Sequence, residues 1–170
     1  MRPIFARTWD QGNALVARSF SDLPMNVYTS RMHFTIHADG GSRGNPGPAG
    51  AGAMIRDELG NSVASVSEFL GVRTNNFAEY EAVILAFETL AKLIGTKKVS
   101  AATVTVKMDS ELVVKQMKGT YKVKHPTMKA QFARLMHAAG AFKDVSFTHV
   151  PREQNKDADA LANEAMDRGA

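Results

Sequence analysis

The 170-residue chain has no cysteine. Disulfides, zinc fingers, thiol nucleophiles and iron–sulfur clusters are therefore excluded together, and any metal must be held by oxygen or histidine. It also has no apolar run approaching the roughly eighteen residues that cross a bilayer, nor the basic start and apolar stretch of a secretory signal. Internal repeats and low-complexity tracts are missing. A soluble, cytoplasmic, monomeric protein is expected. Charge of one sign is scarce too: 21 Lys and Arg against 17 Asp and Glu give +4, a mild basic balance that favours a polyanionic partner without identifying one.

The 44% apolar and 22% charged residues are those of a globular protein, and the length suits one core with at most an added arm. Residues 1 to 32 differ from the rest, with Arg2, Arg7, Arg18 and Arg31 against Asp10 and Asp22, a local +2. We expect a flexible or loosely docked extension there, although an Arg-rich, acid-poor segment also suits an organelle transit peptide. Residues 33–170 form the expected domain.

From His33 the pattern becomes regular. Phe34, Ile36 and Ala38 alternate with Thr35, His37 and Asp39, as in a half-buried strand that ends on Asp39. The glycine-rich run at 40–50 then reads as a tight connection. Residues 51–57 and 62–72 read as two further strands of an antiparallel meander. Thr74 and the Asn75-Asn76 pair open a helix reaching about Leu93, with Ala78, Ala82, Val83, Ala86 and Leu90 on one stripe. A fourth strand, 103–109, also ends on an aspartate, Asp109. A short helix over 110–118, a helix over 126–139, a strand over 145–150 and a helix over 156–167 complete the chain. Helices between the later strands require parallel crossovers, so an α/β fold follows: a five-stranded mixed sheet, three antiparallel strands and then parallel crossovers, with helices on both faces.

Asp39 and Asp109 stand at the carboxyl ends of strands, where open α/β sheets place ligands. At about 100° per residue, Glu79 falls in the apolar sector of its helix, whereas Glu81 falls with Glu88 and Lys92 on the polar side. A carboxylate aimed inward needs a cation or strong donors. In the last helix, Asp157 and Asp159 flank Ala158 almost symmetrically, with Asp159 weakly favoured as the inward one.

The ordered motifs DGGSRGNPG, TNNFAEYEA, MDSELV and NKDADALANEA resemble the type 1 ribonuclease H family over about residues 33 to 168, in its compact archaeal-like and related bacterial branch. The resemblance implies a ribonuclease H-like fold and an endoribonuclease that hydrolyses the RNA strand of RNA/DNA hybrids, leaving 3′-hydroxyl and 5′-phosphate ends. It places the metal-binding carboxylates on Asp39, Glu79, Asp109 and Asp159, which would hold two Mg²⁺ ions, with Mn²⁺ as a substitute. Asp157 becomes a helix-start acid. Such carboxylates need cations, since each like-charge pair at ~4 Å repels by roughly 4 kcal/mol at an effective dielectric of 20. Asn45, Asn76 and Glu79 match positions that read the ribose 2′-hydroxyl, and Thr74 and the Gly44 turn match phosphate contacts. Asn45 equally fits an ordinary turn. Double-stranded RNA is a second duplex the site could take.

Two departures stand out. The mobile-loop histidine of the best-known members is replaced by VPREQN, where Arg152 takes its place and His149 lies nearby. The long basic protrusion is replaced by a short loop bearing Lys118, Lys122 and Lys124, so weaker hybrid affinity and a small salt slope are expected. Competing architectures fit less well: a DEDD-type exonuclease would carry an acid two residues after Asp39, where Gly41 stands. The non-enzymatic alternative is a catalytically silent hybrid- or double-stranded-RNA-binding module of the same fold.

Overall fold

Alternation sets the first strand. In β1 (His33–Ser42) Phe34, Ile36 and Ala38 are buried while Thr35, His37 and Asp39 are half-buried on the opposite side. The computed structural model describes residues 32–169; the expected N-terminal extension, but for its last residue, lies outside the described residues. After β1 come β2 (Gly47–Arg56), β3 (Ser62–Arg73), α1 (Asn75–Ile94), the single turn α2 (Thr96–Val99), β4 (Thr103–Met108), α3 (Glu111–Met117), α4 (Pro126–Gly140), β5 (Asp144–His149), a 3₁₀ turn at Arg152–Gln154, and α5 (Lys156–Arg168).

The sheet order is β3-β2-β1-β4-β5. β1, β2 and β3 pair antiparallel, whereas β4 lies parallel to β1 and β5 parallel to β4. This is the expected mixed sheet. One expectation fails: β1 does not stop at Asp39, and Gly40 and Gly41 stay in the ladder opposite Ala51 and Gly50. Only residues 43–46 make the connection. The glycines serve packing rather than turning, because a Cβ on Gly40 would lie 2.1 Å from the Ala78 carbonyl carbon and 2.3 Å from the Glu79 nitrogen. α1 thus rests its backbone directly on β1.

The other face uses the same device. Cβ atoms on Gly50 and Gly52 would meet the carbonyl oxygens of Ala162 and Ala158 at 2.4 and 2.2 Å, so the small-residue stripe of α5 sits flush on β2. Helices therefore cover both faces, α1 on one and α5 on the other. Thr74 caps α1, its hydroxyl accepting the Phe77 N–H at 3.3 Å, and Gly95 at φ +84° ends it with an N–H donated to the Ala91 carbonyl. Between the sheet and α1, α3 and α4 lies the main core, centred on Ile36, Val83, Phe87, Leu90, Val106 and Leu135.

α1 is buried on more of its circumference than its apolar stripe implies, since α4 packs against it as well as the sheet. Glu81, expected on the solvent side, is only 8% exposed. Its carboxylate accepts from Gln131 Nε2 at 2.6 Å and from Arg134 Nη1 and Nη2 at 2.7 and 3.0 Å. The expectation failed because α4, which supplies the partners, is some fifty residues further along the chain.

Candidate active site

The sheet register brings the first two acids together. β1 and β4 run parallel with His37 opposite Lys107; two residues onward, on the same face, are Asp39 and Asp109. Glu79 arrives from above β1, one turn into α1, at the height set by the Gly40 contact. Asp159 comes from the first turn of α5 on the opposite face. All four carboxylates line one cavity of about 330 Å³, together with Arg152, Asn75 and Arg43.

Each acid is held by neighbours. Glu79 accepts from Asn75 Nδ2 at 2.9 Å and from the Ser110 hydroxyl at 2.7 Å. Ser110 is also the N-cap of α3, accepting the Val113 N–H. Asp109 accepts from Asn155 Nδ2 at 2.9 Å, and Asp159 pairs with Arg152 at 2.5 Å. Burial pushes the Asp39 carboxyl up to about 7, reinforced by the charges of Asp109 and Asp159 and opposed by Arg152. Glu79 is also raised, chiefly by burial, against the hydrogen bonds from Ser110 and Asn75. Arg152, the cation paired with the cluster acid Asp159, is pushed further up by that bond.

Among the described residues, no three acids or histidines are already drawn together as a metal cage. The donor set nevertheless fits a hard divalent cation: it is all carboxylate oxygen, the chemistry of Mg²⁺ and Mn²⁺ sites. Asp39, whose carboxyl is raised by burial and then by the charges of Asp109 and Asp159, is an acid whose ionised form a bound cation would stabilise.

The remaining expected residues sit around this cavity in different ways. Gly44, Asn45, Thr74 and Asn76 are exposed and lie outside its lining. Asn45 accepts the Asn75 N–H at 3.1 Å, which ties the β1–β2 turn to the start of α1. Of the asparagine pair, Asn75 rather than Asn76 turns into the cavity, because Asn75 and Glu79 are four apart and share a helix face. Arg152 lines the cavity and His149 does not. Asp157 faces away, paired with Arg56 at 2.5 Å. Lys118, Lys122 and Lys124 are exposed.

Sequence reasoning missed Asn155, Ser110 and Asn163. The last donates to the Asp159 carboxylate at 3.2 Å. A signal existed for two of them: Asn155 and Asn163 stand four residues before and after Asp159, one helical turn away on its own face.

Sheet order, crossovers and an acid-lined cavity at the ends of the central strands define the ribonuclease H-like class of fold. Comparison with known proteins agrees. The family described as Reverse transcriptase-like matches residues 37–165. Over 134 residues, 78% of this chain, the sequence is 41% identical to Ribonuclease HI of Halobacterium salinarum, and the match covers 64% of that protein. It is 43% identical over 82% of this chain to the Bifunctional protein Rv2228c of Mycobacterium tuberculosis, and the match spans 37% of that protein's length. Among solved structures, LC11-RNase H1 in complex with RNA/DNA hybrid superposes with a TM-score of 0.76 at 50% identity, covering 80% of this chain and 98% of that one. The chain belongs to the ribonuclease H family. Among the described residues, no helix is long and apolar enough to cross a membrane.

Proposed function

We propose that the protein is a divalent-metal-dependent endoribonuclease that hydrolyses the RNA strand of RNA/DNA hybrids, leaving 3′-hydroxyl and 5′-phosphate ends. The observation that carries this reading is the convergence of Asp39, Glu79, Asp109 and Asp159 on one cavity from four separate elements. Two Mg²⁺ ions, or Mn²⁺ in their place, would be held by these carboxylates. When bound, such ions activate water and stabilise the leaving oxygen of an in-line phosphodiester displacement.

The chain's own groups divide the remaining tasks. The Glu79 carboxylate, fixed by Asn75 and Ser110, is available to accept a hydrogen bond from a ribose 2′-hydroxyl, with the Asn75 amide beside it and Asn76 and Asn45 as further amides outside the cavity lining. The 2′-hydroxyl is the local mark of RNA, so these contacts would select the strand. The turn amides at Gly44 and the Thr74 hydroxyl suit backbone phosphates, which set position rather than sequence. Arg152 rests on Asp159 at 2.5 Å and is placed to meet a phosphate oxygen or the leaving group. A likeness to LC11-RNase H1, whose structure is titled as a complex with RNA/DNA hybrid, supports the substrate class. The proposal extends to a monomer working in the cytoplasm, with double-stranded RNA to be tried as a second duplex.

The test is a fluorescent RNA/DNA hybrid with Mg²⁺ or Mn²⁺, beside Asp109→Asn. We expect the variant to lose on the order of 10³-fold or more in turnover, the scale seen when one member of a catalytic unit is removed. Wild-type turnover no greater than that of the variant would leave only a binding module of the same fold.

A further inference from the structure

We propose that Asn155 is a positioning residue for the acid cluster: by holding the Asp109 carboxylate in its cavity-facing orientation, it sets the affinity of that cluster for a divalent cation. The inference rests on the metal-site reading above and names a residue that reading does not use.

Asn155 is only 1% exposed, one of four buried polar residues among the described residues, beside Glu81, Gln116 and Gln131. The other three satisfy one another or the core: Gln131 donates to Glu81, and Gln116 accepts the Tyr80 hydroxyl at 2.6 Å. Asn155 alone reaches the cavity acids. Its two Nδ2 hydrogens meet two acceptors, the Ala38 carbonyl and Asp109 Oδ1, each at 2.9 Å. Neither can donate, so a flipped amide would set oxygen against two oxygens; the orientation is therefore unique. Asp109 Oδ1 is engaged in this way, and among the described residues no side chain or backbone group hydrogen-bonds Oδ2.

Two further observations show what this arrangement gives up. Asn155 occupies the N-cap of α5, the place where asparagine ordinarily accepts a backbone N–H, yet it makes no side-chain cap bond there. Its Oδ1 is buried without a hydrogen-bond partner among the described residues, so the amide's acceptor is left unmatched while its donor is fully used. The amide is committed to β1 and Asp109 instead. Through its own carbonyl it also accepts the Asp159 N–H at 3.1 Å. One residue thus joins the strand that leads into Asp39, the Asp109 carboxylate and the backbone of Asp159. Groups of this kind, hydrogen-bonded to a ligating carboxylate, typically tune metal affinity by roughly 10 to 100-fold.

The experiment is calorimetric titration of the full chain with Mn²⁺ and no nucleic acid, for wild type, Asn155→Ala, Asn155→Leu and Ser67→Ala. The leucine variant keeps the side chain's shape while removing the donor and the orphaned acceptor together. Ser67 donates to the Leu161 carbonyl at 2.8 Å, so its loss loosens α5 without touching Asp109. We expect Kd for Mn²⁺ to rise about tenfold or more in both Asn155 variants and to stay within about twofold in Ser67→Ala even where its Tm falls. On the hybrid, kcat should fall with KM unchanged. Wild-type affinity retained in the Asn155 variants, or an equal loss in Ser67→Ala, overturns the inference and leaves the proposed function standing. A wild type that binds no Mn²⁺ overturns both.

Discussion

One helix carries two acids, two residues apart, with opposite fates. Glu81 points into the seam between α1 and α4, where Arg134 and Gln131 donate three hydrogen bonds to it and only 11% of its side chain remains exposed. Glu79 points toward Asp39 and Asp109, and among its hydrogen-bond partners, Asn75 and Ser110, there is no cation. Burial therefore means different things at the two ends of the same turn. At Glu81 the charge is answered within the fold, which is the pattern of an element that fastens helices together. At Glu79 and Asp39 acids face acids, and both carboxyls are raised from their ordinary values. A protein keeps such an unanswered cluster where something from outside is to answer it.

The contrast can be broken from either side. Glu79→Gln should cost on the order of 10³-fold in hybrid turnover and little or nothing in Tm, since a neutral amide relieves repulsion in the cluster. Thermal melts and steady-state rates on the same preparations measure both, and a large drop in Tm would erase the distinction. Glu81→Ala should do the reverse. Removing the buried partner of Arg134 and Gln131 is expected to lower stability by about 2 kcal/mol, discounted from the fully buried case because Arg134 is half exposed, with kcat retained below the new Tm.

Sharper in sign is the pH dependence at Asp39. Its carboxyl is raised from 3.8 to about 7 in the folded protein, so the folded state binds the proton more tightly than the unfolded chain. The stability this contributes is present at low pH and is lost as pH rises through the window up to about 7. Without divalent ions, Asp39→Asn should therefore melt higher than wild type, by an amount that grows across that window and is flat above it. Equal gains at pH 5 and pH 8 in chelator would show that the Asp39 carboxyl is not raised in the folded protein.

Much of this was legible in the residues. Alternation located β1 and β4, and their shared aspartate endings indicated one end of the sheet; the helical stripe of α1 selected Glu79. The failures have a common cause. The wheel drawn for Glu81 knows one packing surface, and α1 has two, the second supplied by Gln131 and Arg134 from a distant stretch of sequence. The run from Gly40 reads as a turn because glycine permits turns, but at Gly40 the missing side chain answers to the α1 backbone rather than to any dihedral requirement. Asn155 went unread because its amide is drawn off to Ala38 and Asp109, groups that no local pattern places beside it.

The contact between Gly40 and the Ala78–Glu79 peptide has a bearing on how this centre can be altered. Where two acids are spaced by intervening side chains, their separation can be retuned by swapping one rotamer or trimming a methyl. Here main chain abuts main chain, so the gap is fixed by covalent dimensions, and even alanine at position 40 would prise the helix off the strand. Redesign of this centre has freedom in the acids themselves and almost none in the platform beneath them.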